Sequence, residues 1–201
     1  MGPYRRIRTM TRIISRLETP RLYLELINDD DPRALLSSCL TPFFPWRSEA
    51  QLQETAVHRL LFYTSPNPPS NYKVTLKELH KKIGIIGFFK WDPQEKTGTI
   101  GFSIDKLFRN QGLMTEACSA FIDAWFDRGK MEWIEGKCQP DNFASEKVLI
   151  RSGMKKIKTV EEPLFKESRL YTLHVYGISR PEWQILKCRK TSSRTSPEVQ
   201  G

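Results

Sequence analysis

The stretch between residues 99 and 138 limits the possible folds of this chain more than any other. The segment 99–105 (TIGFSID) predicts a strand, 115–128 (TEACSAFIDAWFDR) carries apolar residues at helical spacing, and 131–138 (MEWIEGKC) predicts another strand. Strands that are joined through a helix are expected to be parallel, because the crossover returns the chain to the end of the sheet from which it left. The sheet of this protein therefore contains at least one parallel pair.

The turn that opens this helix, 107–117 (LFRNQGLMTEA), has the chemistry of an anion-binding site. The first amides of a helix lack partners within the helix, and the helix dipole is positive at that end. Gly112 has no side chain that would hold a large anion away, and Arg109 adds a positive charge at the mouth of the turn. A tight turn without a ligand is the alternative at this point. The sequence lacks both the GxxxxGK[ST] pattern and a GxGxxG pattern after a strand.

The remaining segments predict a fold of the α/β class (α+β type) in one domain. Short turns between strands are typical of antiparallel pairing, so the parallel pair is expected within a mixed, mostly antiparallel sheet that has helices on both faces. Asn142 is a candidate for the N-cap of the last predicted helix, and Gly153 for its end. The predicted strands are 21–27, 72–78, 82–92, 99–105, 131–138, 154–160 and 169–179, and the predicted helices are 29–39, 48–63, 115–128 and 142–152.

The net charge of +9 is concentrated at the two ends of the chain. Residues 1–16 contain five arginines and no acidic residue, and residues 187–201 carry a charge of +3, which leaves +1 for the residues between them. Such ends are typical of solvated segments, so we expect a disordered basic arm at 1–16, a folded domain at 17–186 and a disordered basic tail at 187–201. This distribution does not indicate a nucleic-acid-binding domain. We expect a cytoplasmic location, and the arginine-rich start leaves a mitochondrial one as the alternative.

No pattern in the sequence indicates a membrane span, a metal site or a disulfide framework. The longest apolar runs are far shorter than the roughly 20 residues that a membrane helix needs. The four cysteines lie far apart, without a CxxC pair or a Cys/His cluster.

Taken together, these segments resemble the GNAT family of acyl-CoA N-acyltransferases, and within it the RimJ/RimL-type branch. The segment ETPRLYLELI resembles the first strand of that branch, IGIIGFF and TIGFSID resemble its central hairpin, and RNQGLMTEA resembles the family's pyrophosphate loop. PDNFASEKVLIRSGM resembles a later helical segment, and YGISRPEW the closing strand, so the resemblance covers residues 17–183 in order. It implies a GNAT fold with a splayed parallel strand pair at the centre of the sheet.

The resemblance also implies a binding site for acetyl-CoA as co-substrate. Pantetheine is expected to pair with the open backbone edge of the strand 99–105, the diphosphate to lie on the amides of the glycine loop, and the thiol to lie near the helix 142–152. The residues that this arrangement places around acetyl-CoA are Phe102, Ser103, Ile104, Arg109, Gln111, Gly112, Leu113, Met114, Thr115, Asn142 and Ser145.

Three residues depart from the family's pattern. Met114 stands where the loop has Gly or Ala, Thr99 where the branch often has Glu, and Leu149 where many members have a tyrosine that serves as general acid. The side chain of Met114 would either crowd the phosphates or point into the interface between helix and sheet. The loss of the tyrosine leaves Ser145 as the candidate for the thiol side of the reaction.

Acyl transfer to an amine also requires a base, because a free alkylamine has a pKa of about 10. Glu135 is the leading candidate, since the strand around it is otherwise apolar. Asp92, at the end of a strand, and Asp141, beside a helix cap, are the other candidates. Each of these carboxylates is alternatively a solvated charge or a cap. The histidines match no family site, and they are His58, His80 and His174.

The predicted function is that of an acetyl-CoA-dependent N-acetyltransferase. The acceptor is expected to be a primary amine of a small molecule or a peptide N-terminus, and the protein a monomer or a homodimer without a membrane or metal partner. A degenerate GNAT domain that binds CoA or another protein without catalysis is the alternative. Four aromatic residues are expected either to form an apolar wall of the acceptor site or to pack in the core or a loop. They are Phe43, Phe44, Trp46 and Phe62.

Overall fold

The computed structural model describes residues 14–27, 71–92, 94–163 and 170–192 of the chain, and these residues contain a single sheet of eight strands. Seven of the strands match the predicted ones to within a few residues, and the first is additional. The strands are β1 (Arg16–Glu18), β2 (Leu22–Leu26), β3 (Tyr72–Leu76), β4 (Lys81–Asp92), β5 (Thr97–Ile104), β6 (Trp133–Cys138), β7 (Lys155–Pro163) and β8 (Leu170–Ser179).

The strand order is β1-β2-β3-β4-β5-β6-β8-β7. In the described part of the chain, β5 and β6 are parallel, and every other neighbouring pair is antiparallel. The sequence-based prediction of a mixed, mostly antiparallel sheet with a parallel pair is therefore confirmed. The parallel pair arises where it was expected, on either side of the helix that connects the two strands.

The described residues form three α-helices, which are α1 (Leu113–Asp127), α2 (Phe143–Arg151) and α3 (Arg180–Ser192). Helix α1 lays its aromatic side on the sheet, with the ring of Phe121 edge-on to that of Phe88 at 4.9 Å between centroids. Helix α2 packs through Leu149, whose Cδ2 lies 2.5 Å from the position that a Cβ on Gly136 would occupy. A larger residue than glycine at 136 would therefore require the Leu149 side chain to move.

Helices α1 and α2 lie on the same face of the sheet. Phe88 pairs with Ile100, and Ile100 pairs with Gly136, so these three residues share the face that both helices cover. The predicted helices 29–39 and 48–63 lie outside the described residues, as do His58 and the four aromatic residues proposed for the acceptor. Helices on both faces of the sheet therefore stay a prediction.

Helix α3 was not predicted, although the sequence carries its start signal. The Ser179 hydroxyl accepts the N–H of Glu182 at 3.4 Å, and Glu182 Oε2 accepts the N–H of Ser179 at 3.1 Å. This reciprocal pair is a capping box. The Lys155 ammonium, 2.9 Å from Glu182, and the N–H and hydroxyl of Ser179 bind the charged carboxylate and hold the pKa of Glu182 at about 2.

The structure shifts both predicted limits of the folded domain outward. Ile14 is buried, its carbonyl accepts the Tyr72 hydroxyl at 2.7 Å, and Arg16 belongs to β1. Residues 14–16 of the predicted arm are therefore part of the fold. At the other end α3 continues to Ser192, so residues 187–192 of the predicted tail are helical. Charge composition reveals neither the burial of Ile14 nor the helical conformation of residues 187–192.

The described residues contain no helix that is long and apolar enough to cross a membrane. Within the same residues, no group of three or more His, Cys, Asp or Glu side chains could hold a metal ion. In the described part of the chain Cys118 and Cys138 are buried, Cys188 is exposed, and none of these three cysteines forms a disulfide.

Candidate active site

Strands β5 and β6 separate halfway along their length. Their parallel ladder pairs Thr97–Ile100 with Trp133–Gly136 and then ends, although β5 continues to Ile104 and β6 to Cys138. Beyond this point β5 pairs with β4, and β6 pairs with β8. The centre of the sheet therefore opens into a gap, bounded by the second halves of β5 and β6.

The edge of β5 that faces this gap carries backbone groups suited to an extended ligand. Asp105 donates its N–H to Ile83 O at 2.8 Å on the β4 side. Because backbone groups alternate between the two sides along a strand, those of Ser103 also face β4, and those of Phe102 and Ile104 face the gap. Of the three residues predicted to pair with pantetheine, the backbone geometry thus favours Phe102 and Ile104.

The glycine turn leads from the end of β5 into α1. Gly112 is the N-cap of α1 and has φ 74° and ψ 0°, a left-handed conformation that costs other residues about 1–2 kcal/mol. No side-chain hydrogen bond from this position caps the helix. Within the described residues, the N–H groups of Leu113, Met114 and Thr115 have no hydrogen-bond partner. These three amides lie at the positive end of the helix dipole, an arrangement suited to an anion.

The side chain of Met114 points away from this surface. Met114 is buried in the core, and its Cε lies 3.3 Å from the position that a Cβ on Gly84 of β4 would occupy. Leu113 is buried as well. Both residues therefore expose only their backbone at this turn, and the Met114 side chain would not crowd an anion there, because the absence of a Cβ on Gly84 leaves room for it.

The polar side chains of the loop hold the turn in shape. Arg109 Nε donates to Ile104 O at 3.4 Å, and Gln111 Nε2 donates to Leu107 O at 3.2 Å. Asn110 has φ 61°, a conformation that asparagine adopts more easily than most residues. Arg109 is exposed, so its guanidinium charge stays at the mouth of the loop beside the end of β5.

Helix α2 begins beside the end of β6 with Asn142 as its N-cap. Asn142 Oδ1 accepts the N–H of Ser145 at 3.1 Å, so the amide side chain of Asn142 is engaged in the cap, as predicted. The Ser145 hydroxyl has no hydrogen-bond partner in the described part of the chain, and the residue is half-buried. It is therefore able to donate to a ligand. Leu149, at the place of the family's tyrosine, is buried against Gly136 and has no chemistry to offer.

The first turn of α2 is fixed to the sheet by Tyr176 of β8. The Tyr176 hydroxyl donates to Glu146 Oε1. Burial raises the pKa of Tyr176 above its ordinary value, and the hydrogen bond to Glu146 adds to the shift, so this hydroxyl is a donor and not a base. Burial, together with the negative charge of Glu146, also raises the pKa of the Cys138 thiol. Sequence reasoning did not identify Tyr176, because nothing local marks a contact 30 residues away from Glu146.

Glu135 lies on the opposite face of the sheet from α2. It pairs with Thr99 in the last rung but one before the strands separate, and it alternates with Gly136, which faces α2. The Thr99 hydroxyl donates to Glu135 Oε1 at 3.2 Å, and Trp133 Nε1 donates to Oε2 at 3.4 Å. The carboxylate that the branch often places at residue 99 is thus supplied here by the neighbouring strand.

A second carboxylate and an ammonium extend this cluster. Lys137 Nζ lies 3.9 Å from Glu135 Oε1 and donates to Glu162 Oε2 at 2.6 Å. The side chains of Glu135 and Lys137 are 24% and 19% exposed, so solvent reaches both. With all three groups charged, the cluster has a net charge of −1, which suits a cationic amine more than an anionic acceptor.

The other candidate bases lie in less suitable places. Asp92 is at the opposite end of β5 from the glycine loop, and its Oδ1 accepts the N–H groups of Gln94 and Glu95 at 2.9 and 3.0 Å. At 3.3 Å per residue this end lies roughly 10 Å from the point where β5 and β6 separate. Asp92 holds the turn after β4, and we leave it out of the proposed mechanism. Asp141 is an exposed turn residue before the cap of α2.

The two described histidines lie in a turn and in a strand, respectively. His80 is exposed in the turn between β3 and β4, with φ 48°. His174 is in β8, cross-strand from Cys138 and Thr159. Neither has a resolved contact with the glycine loop, in keeping with the absence of a matching family site.

Comparisons with known proteins show the family to which this fold belongs. Residues 21–155 match the family model described as "Acetyltransferase (GNAT) domain". The chain belongs to this family.

Among characterised sequences, the chain is 34% identical over 71 residues to the ribosomal-protein-serine acetyltransferase of Escherichia coli (strain K12). That match covers 35% of this chain and 40% of the relative, so it spans less than half of that protein.

Solved structures share the fold at low sequence identity. The ribosomal-protein-S5-alanine acetyltransferase of Vibrio fischeri has a TM-score of 0.64 at 22% identity, over 84% of this chain and 98% of that one. RimL, an α-N-protein acetyltransferase of a ribosomal protein, was solved in complex with coenzyme A. It has a TM-score of 0.62 at 17% identity, over 80% of this chain and 95% of that one.

Proposed function

We propose that this protein transfers the acetyl group of acetyl-CoA to a primary amine, either of a small molecule or of a peptide N-terminus. The observation that carries the proposal is the gap between β5 and β6, which lies beside the amides at the start of α1. One end of this arrangement suits an extended pantetheine and the other suits its diphosphate. The structure of the relative RimL with coenzyme A supports the same choice of ligand.

The co-substrate side of the proposed site is built mainly from backbone groups. Leu113, Met114 and Thr115 offer their N–H groups to the diphosphate, and Phe102 and Ile104 offer theirs to pantetheine. Backbone N–H groups at the gap are also suited to stabilise the thioester oxygen as it gains negative charge. This half of the site depends on the shape of the chain more than on particular side chains.

The acceptor side is supported by the carboxylate of Glu135. An amine with a pKa of about 10 is protonated at neutral pH and must lose a proton before it attacks. Glu135 lies beside the gap, is open to solvent and belongs to a cluster of net charge −1, so it can attract the ammonium and accept its proton directly or through one water.

The thiol side is supported by the Ser145 hydroxyl, which α2 holds on the other face of the sheet. A thiol with a pKa of about 8.5 is a tolerable leaving group, so a single hydrogen-bond donor suffices there. The gap between β5 and β6 connects the face of the sheet that carries Glu135 with the face that carries Ser145. In the proposed arrangement the amine approaches from the Glu135 face, and the thiolate departs toward Ser145.

Two substitutions test these roles with release of free thiol as the readout, using acetyl-CoA and a panel of small amines and peptides. Ser145→Ala should lower kcat by about 10²-fold, with little change in the Kd for acetyl-CoA, because a proton donor acts mainly in the transition state. Glu135→Gln should flatten the rise of the rate with pH. Glu95→Gln, in an exposed turn, is the matched control and should keep the parent profile.

A CoA-binding or protein-interaction module without catalysis is the second candidate, because Thr99 and Met114 depart from the family's pattern. It predicts that the parent protein binds acetyl-CoA but releases no thiol with any amine of the panel. If the parent is active while both variants behave like it, catalysis depends on positioning and backbone groups alone, and the assignments of Ser145 and Glu135 fail.

A further inference from the structure

A polar cluster joins the start of β2 to the first turn of α1. Glu116 Oε1 accepts the Thr19 hydroxyl at 2.6 Å and the N–H of Arg21 at 2.9 Å, and its Oε2 accepts Arg21 Nε at 2.7 Å. The residues are 95 or more positions apart in sequence, so this contact is a product of the fold. Its side chains are not among those that the sequence analysis assigned to the site.

The cluster turns the Glu116 carboxylate away from the helix amides. A carboxylate in the first turn of a helix commonly caps those amides or opposes an anion there. Burial alone raises the pKa of Glu116, but the hydrogen bonds from Thr19 and from the amide and guanidinium of Arg21 outweigh it and lower the pKa. Glu116 is therefore ionised, and the positive charge of Arg21 compensates it at close range.

Arg21 also holds the loop itself. Its Nη1 donates to Gln111 O at 3.0 Å, which ties down the carbonyl of the peptide that leads into Gly112. In a trans peptide the C=O and N–H point in opposite directions, so this bond also fixes the direction of the Gly112 N–H. The third nitrogen, Nη2, lies 3.6 Å from the position that a Cβ on Gly112 would occupy.

We propose that Arg21 and Glu116, supported by Thr19, are positioning residues for the diphosphate of the co-substrate. They act as a brace that holds the loop carbonyl of Gln111 and the Glu116 carboxylate away from the diphosphate. The helix amides then face it without competition. The inference rests on the proposed acetyl-CoA site, and it assigns a function to the ETPRL segment at the start of β2.

The test compares two ligands that differ in the part that the brace serves. Acetyl-CoA carries the diphosphate, and S-acetylpantetheine lacks it. For the variant Arg21→Lys, which keeps the charge but cannot bond Glu116 and Gln111 in the same geometry, the Kd for acetyl-CoA should rise about tenfold or more. The Kd for S-acetylpantetheine should stay within about twofold, because its binding does not use the loop. Calorimetry measures the first ligand and ligand-observed NMR the second.

Further variants separate positioning from general loss of structure. Glu116→Ala should show the same selective effect, and the double variant with Arg21→Lys should bind acetyl-CoA about as weakly as the worse single one, because the two residues act as a unit. Lys73→Ala, which removes a cation from the ion pair with Glu25 at 3.1 Å on the same sheet, is the control and should bind both ligands like the parent.

Three outcomes would overturn the brace. In the first, the variants at 21 and 116 would bind acetyl-CoA like the parent. In the second, they would raise the Kd for both ligands by the same factor. In the third, their effects on the Kd for acetyl-CoA would add fully in the double variant. A parent protein that binds neither ligand would instead reject the proposed function, and the brace with it, before any variant is compared.

Discussion

The conformation of Gly112 permits a substitution that isolates the charge of the proposed ligand. Asn and Asp are nearly isosteric, and both tolerate the left-handed conformation that Gly112 adopts at φ 74°. Apart from the glycine and its chain neighbours, Arg21 Nη2, at 3.6 Å, is the only atom in the described part of the chain within 4 Å of a Cβ added there. Gly112→Asn and Gly112→Asp should therefore both fold, with stabilities within about 1 kcal/mol of the parent.

The two variants should nevertheless differ in their affinity for acetyl-CoA. A carboxylate about 6 Å from a phosphate repels it by roughly 0.7 kcal/mol at the dielectric constant of water and 2.8 kcal/mol at an effective constant of 20. These values correspond to a Kd about 3- to 100-fold higher for the Asp variant than for the Asn variant.

Calorimetry with acetyl-CoA at low and high salt measures this difference. The gap between the Asp and Asn variants should narrow as the salt concentration rises, because exposed charges are screened over about 8 Å at physiological ionic strength and over less at higher salt. Equal affinities of the Asp and Asn variants at low salt would refute the placement of the diphosphate at this loop. A difference in affinity that is matched by a loss of thermal stability in the Asp variant alone would also refute it.

The remaining predictions concern the ends of the fold. Glu182→Gln should lower the stability at pH 7 by about 1 kcal/mol, since it weakens the capping box of α3. Because the folded pKa of Glu182 is about 2 and the ordinary value is 4.5, this difference in melting temperature should be complete above pH 4.5 and shrink as the pH falls toward 2. A difference that does not change with pH would contradict the assignment. A chain of residues 17–186 should melt several degrees below a chain of residues 14–192, because it lacks Ile14, whose burial contributes roughly 2 kcal/mol. Equal melting temperatures would show that the additional residues are not needed for stability.

The sequence was sufficient to predict the parallel strand pair and the helix that connects its strands. The periodicity of residues 99–138 predicts two strands and a helix, and the chirality and length of such a connection leave a parallel pair as the solution. The glycine turn could also be predicted, because the residues that mark it are adjacent in the sequence. The start of α3 could also have been predicted, because Ser179 and Glu182 have the spacing of a capping box and Pro181 is suited to the first turn of a helix.

The contacts between distant segments could not be read from one sequence. Nothing near Arg21 indicates that it meets Glu116, and nothing near Tyr176 indicates Glu146, because periodicity reports which face of an element is buried and not what covers it. For Asp92 the sequence does carry a local signal, since an Asp before Pro-Gln-Glu favours turn capping, and its Oδ1 accepts the N–H groups of Gln94 and Glu95. A catalytic function of Asp92 stays a prediction.

The departures from the family pattern predict which half of the proposed site depends on side chains. Met114 replaces a small residue without obstructing the loop, because only its backbone faces the proposed diphosphate. Thr99 replaces a Glu, and a carboxylate nevertheless stands at that rung of the sheet, because Glu135 reaches it from β6. A binding surface made of amides tolerates such changes, whereas a base must be a particular group at a particular place.

Substitutions around Glu135 should therefore change the choice and protonation of the acceptor and leave acetyl-CoA binding intact, while substitutions at Gly112 or Arg21 should do the reverse. If the two sets of variants instead shift both properties together, the site is not divided in this way, and the separation of the two faces by the sheet has no functional meaning.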